Sequence, residues 1–193
     1  MPTDIDQAKK NIIAIGRLLW EKNLTPALSG NISVRLKDDY LVTATQTCLG
    51  LLREDDILVI DKKGVPVDGG APSSEWPLHA AVYDRFPTAQ VILHVHPVCA
   101  NGYFLDNDRF TPRIIEARHI LSDIPVVEQV TLNVEDPGPV VEALSANPLV
   151  VLRNHGVITF DRDLFACFVR IQTLESALRT EAYGRLFACG EGA

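Results

Sequence analysis

The chain has 193 residues, carries a formal net charge of −7 and is 47% hydrophobic. This length suits one domain large enough to bury a core, so we predict a single domain over residues 1–193. The chain is acidic and its Lys and Arg are scattered, so nucleic acid is not an expected partner. No apolar run approaches the roughly 18–20 residues that span a bilayer, so we expect no membrane partner.

The four cysteines predict the cellular compartment. Cys48, Cys99, Cys167 and Cys189 lie far apart and show no CxxC spacing. The N-terminus also lacks the basic start and apolar stretch of a signal peptide. Together these features predict reduced thiols in a cytoplasmic protein, with all four cysteines as buried small apolar side chains.

The first half of the chain predicts a helix, three short strands and a second helix. In the first helix, which Thr3 can cap, apolar residues recur at three- and four-residue steps: Ile5, Ala8, Ile12, Ile15 and Leu19. Strands follow over 31–36, 40–45 and 57–60. A second helix is expected to start near Ser73-Ser74-Glu75, with Pro77 in its first turn. Its predicted inner face consists of Leu78, Ala81, Val82 and Phe86.

The second half predicts four more strands and two more helices. Strands are expected over 89–96, 126–130, 149–152 and 157–160, and helices over 139–145 and 163–187. The strands are too closely spaced for a regular βαβ series. This order therefore favours one α/β domain with a mixed or largely antiparallel sheet.

The strand predicted over 89–96 ends in the sequence HVHP. Alternate side chains of a strand share one face, so His94 and His96 can both reach one metal ion. A catalytic zinc-type site takes about three protein ligands, and His155, in the turn after strand 149–152, is the candidate for the third. From the spacing alone, a pair of hydrogen-bonded structural histidines explains this pattern as well as a metal site does. Structural roles are favoured for His79 and His119.

Two loops of small polar residues accompany the histidines. Glu75 follows two serines at a helix start, where free N–H groups favour an anion, so it is the candidate acid/base. The alternative for Glu75 is a plain capping carboxylate. The sequence Ser29-Gly30-Asn31 precedes a strand and by itself indicates only a turn.

Four segments in this order resemble the motifs of the class II aldolase/adducin family: SGNISVR at 29–35, PSSEW at 72–76, HVHP at 94–97 and NHG at 154–156. The resemblance covers nearly the whole chain. It implies a three-layer α/β/α fold with a mainly antiparallel central sheet. It also implies a homotetramer with active sites between neighbouring subunits.

The resemblance assigns roles to individual residues. His94, His96 and His155 become ligands of a divalent metal, Zn²⁺ in the first place, with Mn²⁺, Co²⁺ and Fe²⁺ as alternatives. Glu75 becomes the acid/base. The positions that hold a substrate phosphate correspond to Gly30, Asn31, Thr45, Gln46, Ser73 and Ser74.

The implied activity is that of a lyase on a small molecule. A metal-dependent aldolase of this family cleaves a small hydroxylated carbonyl compound or sugar phosphate through a metal-stabilised enediolate. The glutamate after the two serines is typical of the aldolase branch. A decarboxylase, a dehydratase or an epimerase of the same fold is the alternative. A non-catalytic adducin-like interaction domain is a further alternative.

Two departures from the family pattern bear on the substrate. The phosphate loop of the family has a glycine where this chain has Gln46, so a side chain stands where backbone N–H groups approach the phosphate. We therefore hypothesise a substrate whose end is a carboxylate or uncharged. Tyr103 is too near the strand to replace the tyrosine with which aldolases protonate the leaving aldehyde, and no other tyrosine lies between Gly102 and Leu121. Possible substitutes are Arg113, Glu116 and His119.

Overall fold

The computed structural model describes residues 4–189, so the predicted cap at Thr3 lies outside the described residues. Its helices are α1 (Asp4–Glu21), α2 (Trp76–Arg85), α3 (Val98–Tyr103), α4 (Ile115–Ile120), α5 (Gly138–Ala146) and α6 (Leu164–Cys189). Its strands are β1 (Asn31–Arg35), β2 (Tyr40–Thr43), β3 (Ile57–Ile60), β4 (Val91–Val95), β5 (Val126–Val127), β6 (Leu149–Leu152) and β7 (Gly156–Asp161). Two 3₁₀ turns lie at Leu49–Leu51 and Glu54–Asp56.

The strands form one seven-stranded sheet in the order β3-β2-β1-β4-β7-β6-β5. Every neighbouring pair is antiparallel except β5 and β6. The register sets Asn31 of β1 opposite His94 of β4, and His94 opposite Ile158 of β7. Strand β4 therefore lies between two strands, with its C-terminal end in the middle of the sheet.

Hydrophobic cores cover both faces of the sheet. One core contains Leu93 and Val95 of β4 together with the inner faces of α1, α3, α4 and α6. The other core contains Ile92 and the inner faces of α2 and α5. Since strand side chains alternate, the sheet is buried between two helical layers. The predicted three-layer α/β/α fold with a mainly antiparallel sheet is confirmed.

Several predicted details were wrong. The predicted strand 126–130 pairs only over Val126–Val127, because its partner β6 ends at Leu152 and the chain then turns. Phe86 packs against the core as predicted, but it lies just outside α2 with extended backbone, since the next residue is Pro87 and proline disfavours helical geometry before it. Helices α3 and α4 were not predicted.

The cysteines are less buried than expected. Cys167 is buried, but Cys48 and Cys99 are half-buried, and the side chain of Cys189 lies outside the described part. The three described cysteines are free thiols. Across residues 4–189, no helix combines the length and apolar character that crossing a membrane requires.

Candidate metal centre

Strand β4 brings His94 into the middle of the sheet, where its side chain is buried. The Nδ1–H of His94 donates to the carbonyl of Val157 on β7 at 3.1 Å, since a carbonyl can only accept. This bond fixes the tautomer and leaves the Nε2 lone pair free for a metal ion. His96 follows one residue after the strand ends.

The turn between β6 and β7 places His155 beside this pair. The N–H of His155 donates to the carbonyl of Leu152 at 3.0 Å, and Asn154 takes a left-handed φ of 61°. Gly156 packs so tightly that a Cβ there would lie 2.4 Å from the carbonyl oxygen of Val95. The lack of a side chain at position 156 therefore lets the turn approach β4 and bring His155 to His94.

The three imidazoles converge through their Nε2 atoms. Nε2 of His94 lies 3.2 Å from Nε2 of His96 and 3.3 Å from Nε2 of His155. A tetrahedral zinc site with Zn–N of about 2.0–2.1 Å requires donor separations of about 3.3–3.4 Å. The donor set therefore fits a divalent ion, and among the described residues these three form the one group of histidine, cysteine and acidic side chains with such spacing.

Burial keeps the three imidazoles neutral. Desolvation, followed by the repulsion of the other imidazoles, lowers the pKa of His94 well below its ordinary value. The same two causes lower the pKa of His96 to about 4, and burial lowers the pKa of His155. Proton competition for the lone pairs is therefore weak at neutral pH.

Glu75 occupies the cap position of α2, but its side chain does not cap the helix. The carboxylate instead accepts the N–H of Val134, at 3.3 Å through Oε1 and 3.5 Å through Oε2. Glu75 is only 5% exposed, and this burial raises the pKa of its carboxyl group above the ordinary value. The hydrogen bond from the Val134 N–H acts in the opposite direction and lowers the pKa. The plain capping alternative does not describe this carboxylate.

The ten residues to which the family resemblance assigned metal, acid/base or substrate-binding roles line one cleft of about 190 Å³. They are Gly30, Asn31, Thr45, Gln46, Ser73, Ser74, Glu75, His94, His96 and His155. The described residues of this lining include no Lys or Arg. The cleft is therefore polar without a fixed positive side chain.

The loops around the cleft depend on unusual backbone geometry. Gly30 has φ of 85°, and a Cβ there would lie 2.9 Å from the carbonyl of His94. Gln46 has φ of 59°, in the left-handed region that favours glycine. Gln46 therefore keeps a glycine-type backbone while adding an exposed side chain at the cleft.

Sequence reasoning missed the loop after β5. Leu132 and Asn133 line the cleft, and the Ser74 hydroxyl donates to Oδ1 of Asn133 at 2.9 Å. Val134 supplies the N–H that holds Glu75. No sequence signal marked this loop, since its contribution to Glu75 comes from a backbone group.

The histidines outside the triad have other surroundings. Nδ1 of His79 lies 2.7 Å from the Ser33 hydroxyl, whose oxygen also lies 2.8 Å from the Tyr83 hydroxyl, all buried under α2. His119 is exposed on α4. The possible substitutes for the aldolase tyrosine, Arg113, Glu116 and His119, do not line the cleft of their own chain.

Gly156→Ala tests the close approach of the turn to β4. We expect a loss of about 1–3 kcal/mol in the free energy of unfolding, because the added Cβ overpacks against a backbone carbonyl. Metal affinity should fall with it, since the turn carries His155. Urea denaturation and metal titration measure the two effects.

Gly184→Ala is the control for Gly156→Ala. The Cβ added at position 184 meets no atom within 4 Å, and the substitution should stabilise α6 by about 1 kcal/mol at most. Unchanged stability in Gly156→Ala would contradict this packing.

The sequence and the fold of this chain match a known protein family. The family model for the class II aldolase and adducin N-terminal domain matches residues 10–182. The chain therefore belongs to the class II aldolase and adducin family.

Named relatives carry two activities. The chain is 31% identical over 191 residues to a methylthioribulose-1-phosphate dehydratase of Acidiphilium cryptum, covering 91% of this chain and 90% of that protein. It is 29% identical over 170 residues to an L-fuculose phosphate aldolase of Methanocaldococcus jannaschii, covering 86% and 91%. The crystal structure of L-fuculose-1-phosphate aldolase from Thermus thermophilus superposes with a TM-score of 0.85 at 27% identity, covering 98% of this chain and 99% of that one.

Proposed function

We propose that the protein is a metal-dependent lyase acting on a small hydroxylated carbonyl compound, with aldol cleavage as its reaction. The observation that carries this proposal is the convergence of three imidazole Nε2 atoms in the same cleft as a buried carboxylate. An adducin-like interaction domain would need neither the ligand set nor Glu75. A bound divalent ion supplies Lewis-acid stabilisation of the negative charge that develops on a substrate oxygen.

The residues of the chain divide the remaining work. Glu75 takes or gives the proton at the reacting carbon or hydroxyl, and its raised pKa brings it closer to neutral pH, where a proton carrier works best. Asn31 offers a buried Oδ1 that has no hydrogen-bond partner, suited to a substrate hydroxyl. Ser73, Ser74 and Thr45 add hydroxyl donors to the same cleft.

Dehydration is the second candidate reaction, because relatives at 31% and 32% identity are named as dehydratases. In aldol cleavage a base takes the proton of the hydroxyl β to the carbonyl, the C–C bond breaks, and its electrons form an enolate. In dehydration a base takes the proton of the carbon next to the carbonyl, and the resulting enolate expels the β-hydroxyl, which takes up a proton and leaves as water.

Product analysis distinguishes these reactions. Phosphorylated and unphosphorylated ketoses and sugar acids are incubated with protein loaded with Zn²⁺, Mn²⁺ or Co²⁺, and the products are identified by mass spectrometry. Two carbonyl fragments support aldol cleavage, and one product lighter by a water supports dehydration. A product that has lost carbon dioxide would indicate a decarboxylase, and an epimer of the substrate would indicate an epimerase. Either product would replace both candidate reactions. No turnover of any substrate by a metal-loaded protein would contradict the enzyme proposal.

Gln46→Gly tests the role of this loop in substrate choice. We expect the free energy of unfolding to rise by up to about 1 kcal/mol, because glycine adopts a left-handed backbone without strain. The ratio of kcat/KM for phosphorylated over unphosphorylated substrates should rise about tenfold, as one backbone N–H gains access to the phosphate.

Asn23→Gly is the matched control for Gln46→Gly. Asn23 also has a positive φ, of 56°, but it lies at the end of α1 and does not line the cleft. It should gain stability without changing the substrate ratio. Wild-type turnover that strictly requires a sugar 1-phosphate would rule out the hypothesis that the natural substrate ends in a carboxylate or is uncharged.

Self-association is part of the proposal. Large apolar side chains are exposed on two helices of the same layer, with Ile115 of α4 at 75% and Phe187 of α6 at 76% exposure. Contiguous apolar patches on a surface mark protein interfaces, and we expect these side chains to be covered by another copy of the chain. We expect a homotetramer, which analytical ultracentrifugation would measure. A monomer at micromolar concentration would contradict it.

We further propose a cytoplasmic location for the protein and Zn²⁺ as its native metal ion.

A further inference from the structure

We propose that Asn101 is a positioning residue for His155, and that its Oδ1 accepts the Nδ1–H of this imidazole when Nε2 holds the metal ion. The inference rests on the metal site proposed above. A hydrogen bond to the second nitrogen of a ligand imidazole fixes the orientation of the ring and raises its basicity.

The tautomer of His155 follows from the geometry of the triad. Its Nε2 faces the Nε2 of His94 at 3.3 Å, so Nε2 is the atom that points to the ion. A neutral imidazole that coordinates through Nε2 carries its hydrogen on Nδ1. This Nδ1 is buried and has no hydrogen-bond partner. His155 therefore has a buried donor that needs an acceptor.

Asn101 offers the complementary atom. Its Nδ2 already donates to the carbonyl of His155 at 3.1 Å, so the two residues are in contact. Its Oδ1 is buried and also lacks a partner. Buried polar groups are nearly always paired in folded proteins. Two unpaired atoms of opposite type on contacting residues are therefore natural partners.

The helix that carries Asn101 is fixed to α6 at its N-terminus. Helix α3 begins directly after His96 and Pro97, and its first N–H groups are bound by Glu175 of α6. The carboxylate of Glu175, only 2% exposed, accepts the N–H groups of Cys99 and Ala100, each at 3.0 Å. The same short helix therefore follows one candidate ligand, His96, and contacts another, His155.

His94 shows the contact that His155 lacks. Its Nδ1–H donates to the Val157 carbonyl, a group fixed by the sheet. His155 lies on a turn, and its Nδ1 has no such backbone acceptor. Asn101 gives the turn ligand the kind of support that the sheet gives the strand ligand.

Two substitutions separate this role from a structural one. Asn101→Ala removes both the donor and the acceptor, and we expect it to weaken Co²⁺ binding by about 10–100-fold. Asn101→Asp keeps an acceptor for Nδ1–H but loses the donor to the His155 carbonyl. We expect it to bind Co²⁺ as tightly as the wild type, or more tightly. Competition titration with a chelator measures the affinities, and the visible spectrum of bound Co²⁺ reports the coordination.

Asn107→Ala is the matched control. The Asn107 amide also donates to a backbone carbonyl, that of Tyr103 at 2.6 Å, but Asn107 is exposed in the loop after α3 and does not line the cleft. It should bind Co²⁺ like the wild type. Equal weakening in Asn101→Ala and Asn101→Asp would show that only the bond to the His155 carbonyl matters, and wild-type affinity in Asn101→Ala would show no role. Either result overturns the inference.

A measurement on the wild type does not depend on how the variants fold. In the Zn²⁺-loaded protein, ¹H–¹⁵N spectra of labelled histidine should show a slowly exchanging Nδ1–H on His155. A rapidly exchanging or missing Nδ1–H would contradict the bond to Asn101. A wild-type protein that binds no ion contradicts the proposed metal site itself, so the two failures are distinguishable.

Discussion

His155→Ala is expected to abolish stoichiometric metal binding and to lower kcat/KM by about 10³-fold or more. One of three Nε2 donors is lost, and two imidazoles do not complete a catalytic site. Lewis-acid stabilisation lowers the activation barrier by several kcal/mol, and each step of about 1.4 kcal/mol corresponds to a tenfold change in rate. Elemental analysis and steady-state kinetics measure the two losses.

Thermal denaturation gives a second measure of the same change. Nε2 of His94 lies 3.2 Å from Nε2 of His96 and 3.3 Å from Nε2 of His155, so the donors are already gathered in the native state. An ion that binds this state and not the unfolded chain stabilises it by about 2.7 kcal/mol when its concentration is 100 times Kd. Adding Zn²⁺ should therefore raise the Tm of the wild type but not that of His155→Ala.

His119→Ala is the control for His155→Ala. His119 is exposed on α4 and does not line the cleft. It should leave the metal content and the Zn²⁺-dependent Tm shift unchanged. If His155→Ala also kept a stoichiometric ion, His155 would not be a ligand.

The parts of the fold with strong local patterns were predictable from the sequence. The three- and four-residue spacing of Ile12, Ile15 and Leu19 predicted α1, and these side chains are buried. The alternation in β4 predicted that Leu93 and Val95 face away from His94, as they do in the core. Periodicity reports burial directly, so it identifies elements whose stability comes from one buried face.

The missed parts depend on contacts between distant residues. Helix α3 has the sequence VCANGY, in which Asn101 and Gly102 disfavour a helix, and its start is held by Glu175 far along the chain. The Val134 N–H that binds Glu75 is a backbone group, which leaves no mark in the sequence. The side chains that line the cleft were therefore predictable from the sequence, but the groups that hold them in place were not.

Glu75→Gln is expected to reduce turnover by about 10²–10⁴-fold, because the amide cannot carry the proton. The imidazole ligands are untouched, so the protein should retain its metal ion. Kinetics and elemental analysis on the same samples measure the two results. Turnover at the wild-type rate with metal bound would remove Glu75 from the mechanism.

The same substitution is expected to stabilise the metal-free protein at neutral pH. Burial raises the pKa of Glu75 in the folded state, so the folded protein disfavours the ionised carboxylate. Wild-type stability from this group is complete below the ordinary pKa of 4.5 and is lost as pH rises through the raised value. The advantage of Gln should therefore be absent at acid pH and grow towards neutrality. Urea denaturation of the metal-free protein between about pH 4 and pH 8 measures it.

Glu135→Gln separates burial from charge in this comparison. Glu135 follows Val134 in the same loop but is exposed, so its replacement removes one negative charge without relieving desolvation. It should change the free energy of unfolding by less than about 0.5 kcal/mol, with no growth towards neutral pH. A pH-dependent gain in Glu75→Gln alone, together with lost turnover, would mean that the cleft keeps a destabilising carboxylate because catalysis requires it. Equal behaviour of the two variants would contradict a raised pKa at Glu75.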